Sequence, residues 1–265
     1  MHALQLVRDG NLGGALGALQ DAVRKNASNP KDRIFLFQLL SVLGQWDRAL
    51  TQLNVVGELD AGALPMVQTY REAIQCEALR LQIFSGQRAP LVFGEPQPWL
   101  ALLIDALRLD RDDPGRAAAA RAQALEAAPA SSGSIDGERF DWIADADQRL
   151  GPVLEAVVNG RYFWIPFCRI SRIEIEPPSD LRDTVWTAAS FTWANGAQTM
   201  GLIPTRYAGT VGQGDDALML ARRTEWQDGG AGVGQRMLAT DSADYPLMDV
   251  RLVEIEPAGE DAQHG

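Results

Sequence analysis

Hydrophobic positions recur at helical spacing through the first half of the chain and switch to alternation in the second, so two kinds of element are predicted. In the first half, Gly10-Asn11-Leu12-x-x-Ala15-Leu16-x-x-Leu19 aligns with Gly44-Gln45-Trp46-x-x-Ala49-Leu50-x-x-Leu53, an offset of 34 residues. That is the tetratricopeptide period. Glycine closes the turn between two antiparallel helices, an apolar residue starts the second helix, and the small alanine lets the helices approach. Asn29-Pro30 separates one pair from the next. Leu64 to Phe84 reads as one long helix with Met66, Tyr70, Ile74, Leu81 and Phe84 toward one side, and Trp99, Leu103, Ala106 and Leu107 mark another. A helix over 115–128 follows, in which Gly115 to Ala120 repeats the offset of Gly10 to Ala15. Two recognisable repeats and a third, irregular helical layer are expected to end at Pro129, with Ala130-Ser131-Ser132-Gly133-Ser134 as the boundary.

Beyond it the period shortens. Val153 to Val158 and the aromatic run Tyr162, Phe163, Trp164 flank Asn159-Gly160, a pair that tolerates the positive φ of a tight hairpin turn. Asn195-Gly196 repeats the device between Ala189 to Trp193 and Thr199 to Ile203. Leu218 to Trp226, Arg236 to Thr240 and Val250 to Ile255 are further candidate strands. Ahead of them, Asp136 or Asp141 is read as the cap of a short helical turn holding Phe140, Trp142 and Ile143, stopped by Gly151-Pro152. The fold class predicted is α+β: a tetratricopeptide-like α-α superhelix over 1–130, then an antiparallel β-rich, small barrel-like domain over 135–258, with 259–265 as a frayed tail.

Charge sharpens this division. The first 130 residues hold 13 basic and 14 acidic residues, and the remainder 11 and 21, so nearly all of the net charge of −11 belongs to the second half. Such a surface repels phosphate backbones and anionic lipid and favours a basic protein partner, and solubility alone would also account for it. No nucleic acid or membrane partner is expected. The best apolar run, Ile34 to Leu43, is interrupted by Gln38 and too short to span a bilayer. With no secretory signal read at the amino terminus, a cytoplasmic location is expected, and Cys76 and Cys168 are read as buried thiols.

Candidate chemistry is sparse. The two histidines, His2 and His264, lie at the termini, which removes His-based triads and metal sites from the rigid body. The two lysines, Lys25 and Lys31, lie in the first repeat. Asp141, Asp145 and Asp147 could gather carboxylate oxygens around a hard cation. No single regular element presents all three together, and Arg139 and Arg149 offer salt bridges instead. Asp180, Arg182 and Asp183 are read as a turn braced by arginine pairing. Gly229 to Gly234 lacks the Lys and Ser/Thr of a phosphate loop and reads as a β-connection. No cofactor is expected. Trp164 and Trp193 are placed inward by alternation, Trp46 is expected to pack, and Trp99, after Pro96-Gln97-Pro98, is expected to be exposed.

The block Phe140 to Phe167, FDWIADADQRLGPVLEAVVNGRYFWIPF, together with LRDTVW at Leu181 to Trp186 and IPTRY at Ile203 to Tyr207, resembles the ImpE family, also called TagJ or SciE-type. The resemblance runs over nearly the whole chain. It implies a non-enzymatic cytoplasmic accessory of bacterial type VI secretion that binds the amino-terminal helix of the small contractile-sheath subunit and acts alongside the ClpV unfoldase. It transfers no binding residues. The contact is therefore placed near the junction of the halves, at Asp141, Trp142, Asp145, Asp147 and Arg149, or else on the concave helices around Phe35, Leu39 and Trp99. Two other readings stay open: a carboxylate-based metal enzyme using the three aspartates, and a general repeat scaffold unrelated to secretion.

Overall fold

The computed structural model describes residues 2–257; the expected tail over 259–265 and His264 lie outside them. The first half is helical: α1 (His2–Arg8), α2 (Leu12–Lys25), α3 (Pro30–Val42), α4 (Trp46–Leu59), α5 (Leu64–Phe84), α6 (Pro98–Leu109) and α7 (Pro114–Ala127). Gly10 and Gly44 occupy matching turns at φ 76° and 65°, the left-handed region that glycine enters without penalty. Asn11 and Asn29 cap the helices that follow, each accepting a hydrogen bond from a first-turn amide. Helices α1 to α5 pack in sequence order, as the 34-residue register requires. The stacking does not continue into a superhelix, because α5 next packs on a strand of the second half and α6 pairs with α7 apart from it.

The second half centres on a nine-stranded sheet. Its strands are β1 (Leu91–Val92), β2 (Gly133–Ile135), β3 (Glu138–Phe140), β5 (Val153–Val158), β6 (Arg161–Pro166), β7 (Ile170–Ile175), β8 (Trp186–Trp193), β9 (Gln198–Pro204) and β14 (Leu252–Ile255). They run in the order β1-β6-β5-β9-β8-β7-β14-β2-β3. All pairs are antiparallel except β1 with β6. The sheet is open at β1 and β3, so the barrel-like closure is not formed. A three-stranded sheet joins β4 (Ile143–Asp145), β12 (Met237–Thr240) and β13 (Asp244–Pro246), and β10 (Thr224–Trp226) pairs with β11 (Gly232–Gly234). Both Asn-Gly turns fall where expected: Asn159 and Gly160 take φ 50° and 70° between β5 and β6, and Gly196 takes φ 82° between β8 and β9.

Two local expectations are corrected. Phe140 and Ile143 lie in β3 and β4, not in a helical turn. Asp136 instead enters the β2–β3 turn at φ 50°, and its carboxylate accepts the amides of Arg251 and Leu252, fastening that turn to β14. Leu218 to Trp226 is only partly strand. Asp215 accepts the amides of Ala217 and Leu218 and nucleates the short helix α8 (Asp216–Met219), leaving strand for β10 alone. The Asp216 carboxylate in turn accepts the Leu12 amide at 2.9 Å, tying the start of α2 to the second half.

The halves share one core. Strand β5 is buried at all six positions because both faces of the sheet are covered there. Val153 and Val157 face the helices, in a cluster with Leu39, Tyr70, Trp99 and Trp186. Leu154, Ala156 and Val158 face the opposite layer with Phe191, Leu238 and Leu247. Along α5 the buried side runs through Val67, Tyr70, Ile74, Glu77 and Arg80, while Leu81 is exposed. Trp99, expected at the surface, is 5% exposed because α6 turns it into the shared core. Trp46 is half-buried, its ring centroid 5.9 Å from that of Trp186. Cys76 is buried as expected, whereas Cys168 is half-buried in a 3-10 turn over Phe167–Arg169, and both are free thiols. Glycines in the 229–234 run serve packing: a Cβ on Gly232 would lie 2.3 Å from the Tyr207 ring. Among the described residues no helix is long and apolar enough to cross a membrane.

Candidate functional site: a buried charge cluster and the groove beside Trp142

Glu155 is the third residue of β5, on the face toward the helices, where its neighbours in alternation are Val153 and Val157. A carboxylate there needs compensation. Arg80 reaches down from α5 with Nε and Nη2 each 2.6 Å from a Glu155 oxygen, in a bidentate fork. Tyr162 on β6 donates its hydroxyl to Glu155 at 2.6 Å and receives the Trp164 indole N–H at 2.9 Å. Arg236, fully buried ahead of β12, pairs with both Glu155 and Asp145 and donates Nε to the Pro204 carbonyl at 2.8 Å.

The cluster extends to both sides. Glu77 lies 3.5 Å from Arg80 and accepts the Trp186 indole N–H at 3.0 Å. Arg206 donates Nη1 to the carbonyls of Val42 and Met219, the ends of α3 and α8, where the helix dipoles favour a cation. Three buried arginines, Arg80, Arg206 and Arg236, therefore balance the three carboxylates Glu77, Asp145 and Glu155. The motifs singled out in the sequence converge here: Asp145, Glu155, Tyr162 and Trp164 from the first block, Trp186 from the second and Arg206 from the third.

Burial opposes the ionised form of Glu155, but Arg80 and Arg236 outweigh it and hold the carboxyl down at about 2. For Asp145 burial wins over Arg236, with Asp147 adding to it, and its carboxyl is pushed up to about 7. The two titrations have opposite signs. Stability from Glu155 is complete above its ordinary value and is lost as pH falls toward about 2. Stability from Asp145 is complete below its ordinary value and is lost as pH rises to about 7. The stability difference between wild type and Asp145→Asn is accordingly expected to shrink between roughly pH 5 and 7, by up to about 1.4 kcal/mol per pH unit. Urea melts across that range measure it, and a constant or growing difference contradicts the assignment.

Asp147 is fully buried and spends both oxygens on Arg149, one contact being 2.5 Å, while accepting the Gly232 amide at 3.0 Å. Neither Asp145 nor Asp147 is at a rim, and Asp141 is exposed, its amide bound to Asp241 at 2.8 Å. The three aspartates are thus not brought together. Among the described residues no group of three or more His, Cys, Asp or Glu side chains is placed to hold a metal ion. The helical alternative is also displaced: Leu39 and Trp99 are in the core and Phe35 is half-buried, since the sheet fills the face the helices would have offered. Asp180 and Arg182 pair at 2.8 Å and Asp183 completes a capping box, the braced turn expected.

One groove open at the junction, of about 440 Å³, lies between the end of α7 and the edge of β4, walled by Leu125, Ala128, Trp142, Ala144 and Pro152. Trp142 is 41% exposed and Leu125 37%. Glu126, Asp141 and Asp241, beside or bonded to the rim, are exposed. Of the eight residues expected to bind a partner, Trp142 lines this groove, Asp141 is exposed next to it in sequence, and Arg149 is half-buried against Asp147 and the Phe84 ring. Leu125 was missed because its helix shows no marked apolar stripe. The charge cluster was also missed, although Glu155 inside VLEAVV is the kind of isolated charge in an apolar strand that signals a buried pair.

Residues 137–254 match the family described as ImpE protein. The chain is 55% identical over 258 residues to the type VI secretion system accessory component TagJ of Pseudomonas aeruginosa, covering 97% of this chain and 92% of that one. Its fold is that of the crystal structure of protein VPA1032 from Vibrio parahaemolyticus, with a TM-score of 0.85 at 23% identity over 97% of this chain and 98% of the other. A relative of that identity over nearly the full length, with the family match centred on the sheet and its charge cluster, shows that this chain belongs to the ImpE family.

Proposed function

We propose that this protein is a non-enzymatic accessory component of a type VI secretion system. In this reading it binds the amino-terminal helix of the small sheath subunit in the groove between Leu125 and Trp142, and so assists sheath handling with the ClpV unfoldase. The accessory role is carried by the 55% identity to TagJ over nearly the whole chain. Support for the groove comes from its two exposed apolar anchors, the kind of residue that dominates helix-in-groove recognition. Rim carboxylates at Glu126, Asp141 and Asp241 favour a helix with basic flanks and would steer its encounter.

Fluorescence anisotropy with a labelled peptide from the sheath subunit's amino terminus tests this. Wild type should bind saturably, and Leu125→Glu and Trp142→Ala should each weaken binding at least about tenfold, or about 1.4 kcal/mol. Added salt should slow association more than it speeds dissociation. No binding by folded wild type rejects the sheath reading, and unchanged binding by both variants rejects the groove.

A further inference from the structure

A cavity of about 410 Å³ opens onto the buried charge cluster and shares no lining residue with the Trp142 groove. Its inner end is lined by Glu77, Arg80 and Arg206, which are 7%, 4% and 4% exposed. Trp46, Leu81, Val185 and Val211 give it apolar walls, and Leu81 and Val211, at 48% and 37% exposure, mark the mouth. The volume lies within the range of about 300–1,000 Å³ usual for small-molecule pockets. The mouth is held in place by packing and hydrogen bonds. Val211 fills the space that Gly44 leaves, since a Cβ on Gly44 would lie 2.6 Å from it. The preceding Thr210 hydroxyl donates to the Tyr207 carbonyl at 2.7 Å and accepts the Gly234 amide at 2.9 Å.

The charged groups at the inner end are not saturated by their neighbours among the described residues. One Glu77 oxygen accepts the Trp186 indole N–H at 3.0 Å, while the other has only a 3.5 Å contact from Arg80 Nη1, and that long contact is all that Nη1 makes. Arg206 alone of the cluster's three arginines has no ion pair: Nη1 goes to two carbonyls and Nη2 makes one contact of 3.4 Å. Burial outweighs the attraction of Glu77 and pulls the Arg206 guanidinium down to about 10. A carboxylate with room for a donor thus stands beside two guanidiniums with room for an acceptor. We propose that this cavity binds a free apolar α-amino acid in its zwitterionic form. Glu77 takes the ammonium, Arg80 and Arg206 take the carboxylate, and the side chain lies against Trp46, Leu81 and Val211. Glu77 and Arg80 offer opposite charges 3.5 Å apart, which suits an ammonium and a carboxylate carried on one carbon. A zwitterion brings no net charge and keeps the balance of three arginines against three carboxylates, whereas a simple anion or cation would leave a buried charge in excess. A peptide end is excluded, because its amide bond removes one of the two charges. The site does not depend on the Trp142 groove or on its reading.

Spectra of the full chain that follow the Trp46 indole N–H and the Leu81 methyls test the proposal near neutral pH, where amino acids are zwitterions. At least one of L-leucine, L-methionine and L-phenylalanine should shift both signals saturably. For that amino acid, the amide, which lacks the carboxylate, and the acid without its amino group should each bind at least about tenfold more weakly. Glu77→Gln should weaken binding to a similar extent. Leu81→Asp, at an exposed position of the mouth, should weaken it too, read at the Trp46 indole, and stands as the test if Glu77→Gln does not fold. No saturable shift with any of the three amino acids, equal affinity for the zwitterion and either analogue, or unchanged affinity in a folded variant overturns the assignment.

Discussion

Glu155→Gln is expected to destabilise the protein by about 3–5 kcal/mol, one of the two largest effects of any single side-chain change here. Its carboxylate is fully buried between Arg80 and Arg236 and also accepts the Tyr162 hydroxyl. Glutamine keeps the shape but removes the charge, leaving two buried guanidiniums with Glu77 and an Asp145 that near pH 7 is only partly ionised. One half of the new amide is a donor facing donors, so at least one of the four hydrogen bonds the carboxylate accepts is replaced by a repulsive contact. Urea denaturation near pH 7 measures the loss. A change below about 1 kcal/mol means that the cluster is hydrated and not the lock between α5, β5 and the Arg236 segment.

Trp186→Ala is expected to cost about 3–5 kcal/mol through lost transfer energy and the cavity left behind. Trp186 is fully buried where the halves meet, with ring centroids 5.9 Å from Trp46 and 5.6 Å from Tyr70. Its indole N–H also satisfies Glu77, which the truncation leaves with a buried, less satisfied oxygen. Trp46→Ala should cost less, because Trp46 is only half-buried against the same ring. If both tryptophans prove equivalent, or if the two halves unfold in separate transitions in either variant, the shared core is contradicted.

The parts of this fold that were legible in sequence are those set by local geometry. The 34-residue spacing placed the turns at Gly10 and Gly44, and the two Asn-Gly pairs placed the hairpins, because only backbones with positive φ fit there. The α5 helix could be bounded from Leu64 to Phe84 and its inward side read at Tyr70 and Ile74, but not the full extent of that side. Its buried side follows Glu77 and Arg80, which a hydrophobicity pattern assigns to solvent, while Leu81 is left exposed. Trp99 and Leu39 were offered to a partner on the assumption that repeat helices present a free concave face. The sheet takes that face instead, a contact between distant segments that no local pattern records. The Asp147–Arg149 pair was legible from the sequence, but Asp145 and Asp147 were also offered to a partner, because Arg236 and, through Gly232, the β11 strand reach them from far along the chain. Of the proposed binding surface, the Asp141-Trp142 segment was named from the sequence, and its other wall at Leu125 was not.

In the proposed complex a sheath-derived helix seats between the end of α7 and the edge of β4. Hydrogen–deuterium exchange of the full chain with and without the sheath amino-terminal peptide reads out that contact. Added protection confined to residues 124–130, 142–146 and 239–241 is expected. Protection centred instead on the helices around Phe35, or none at saturating peptide, contradicts it.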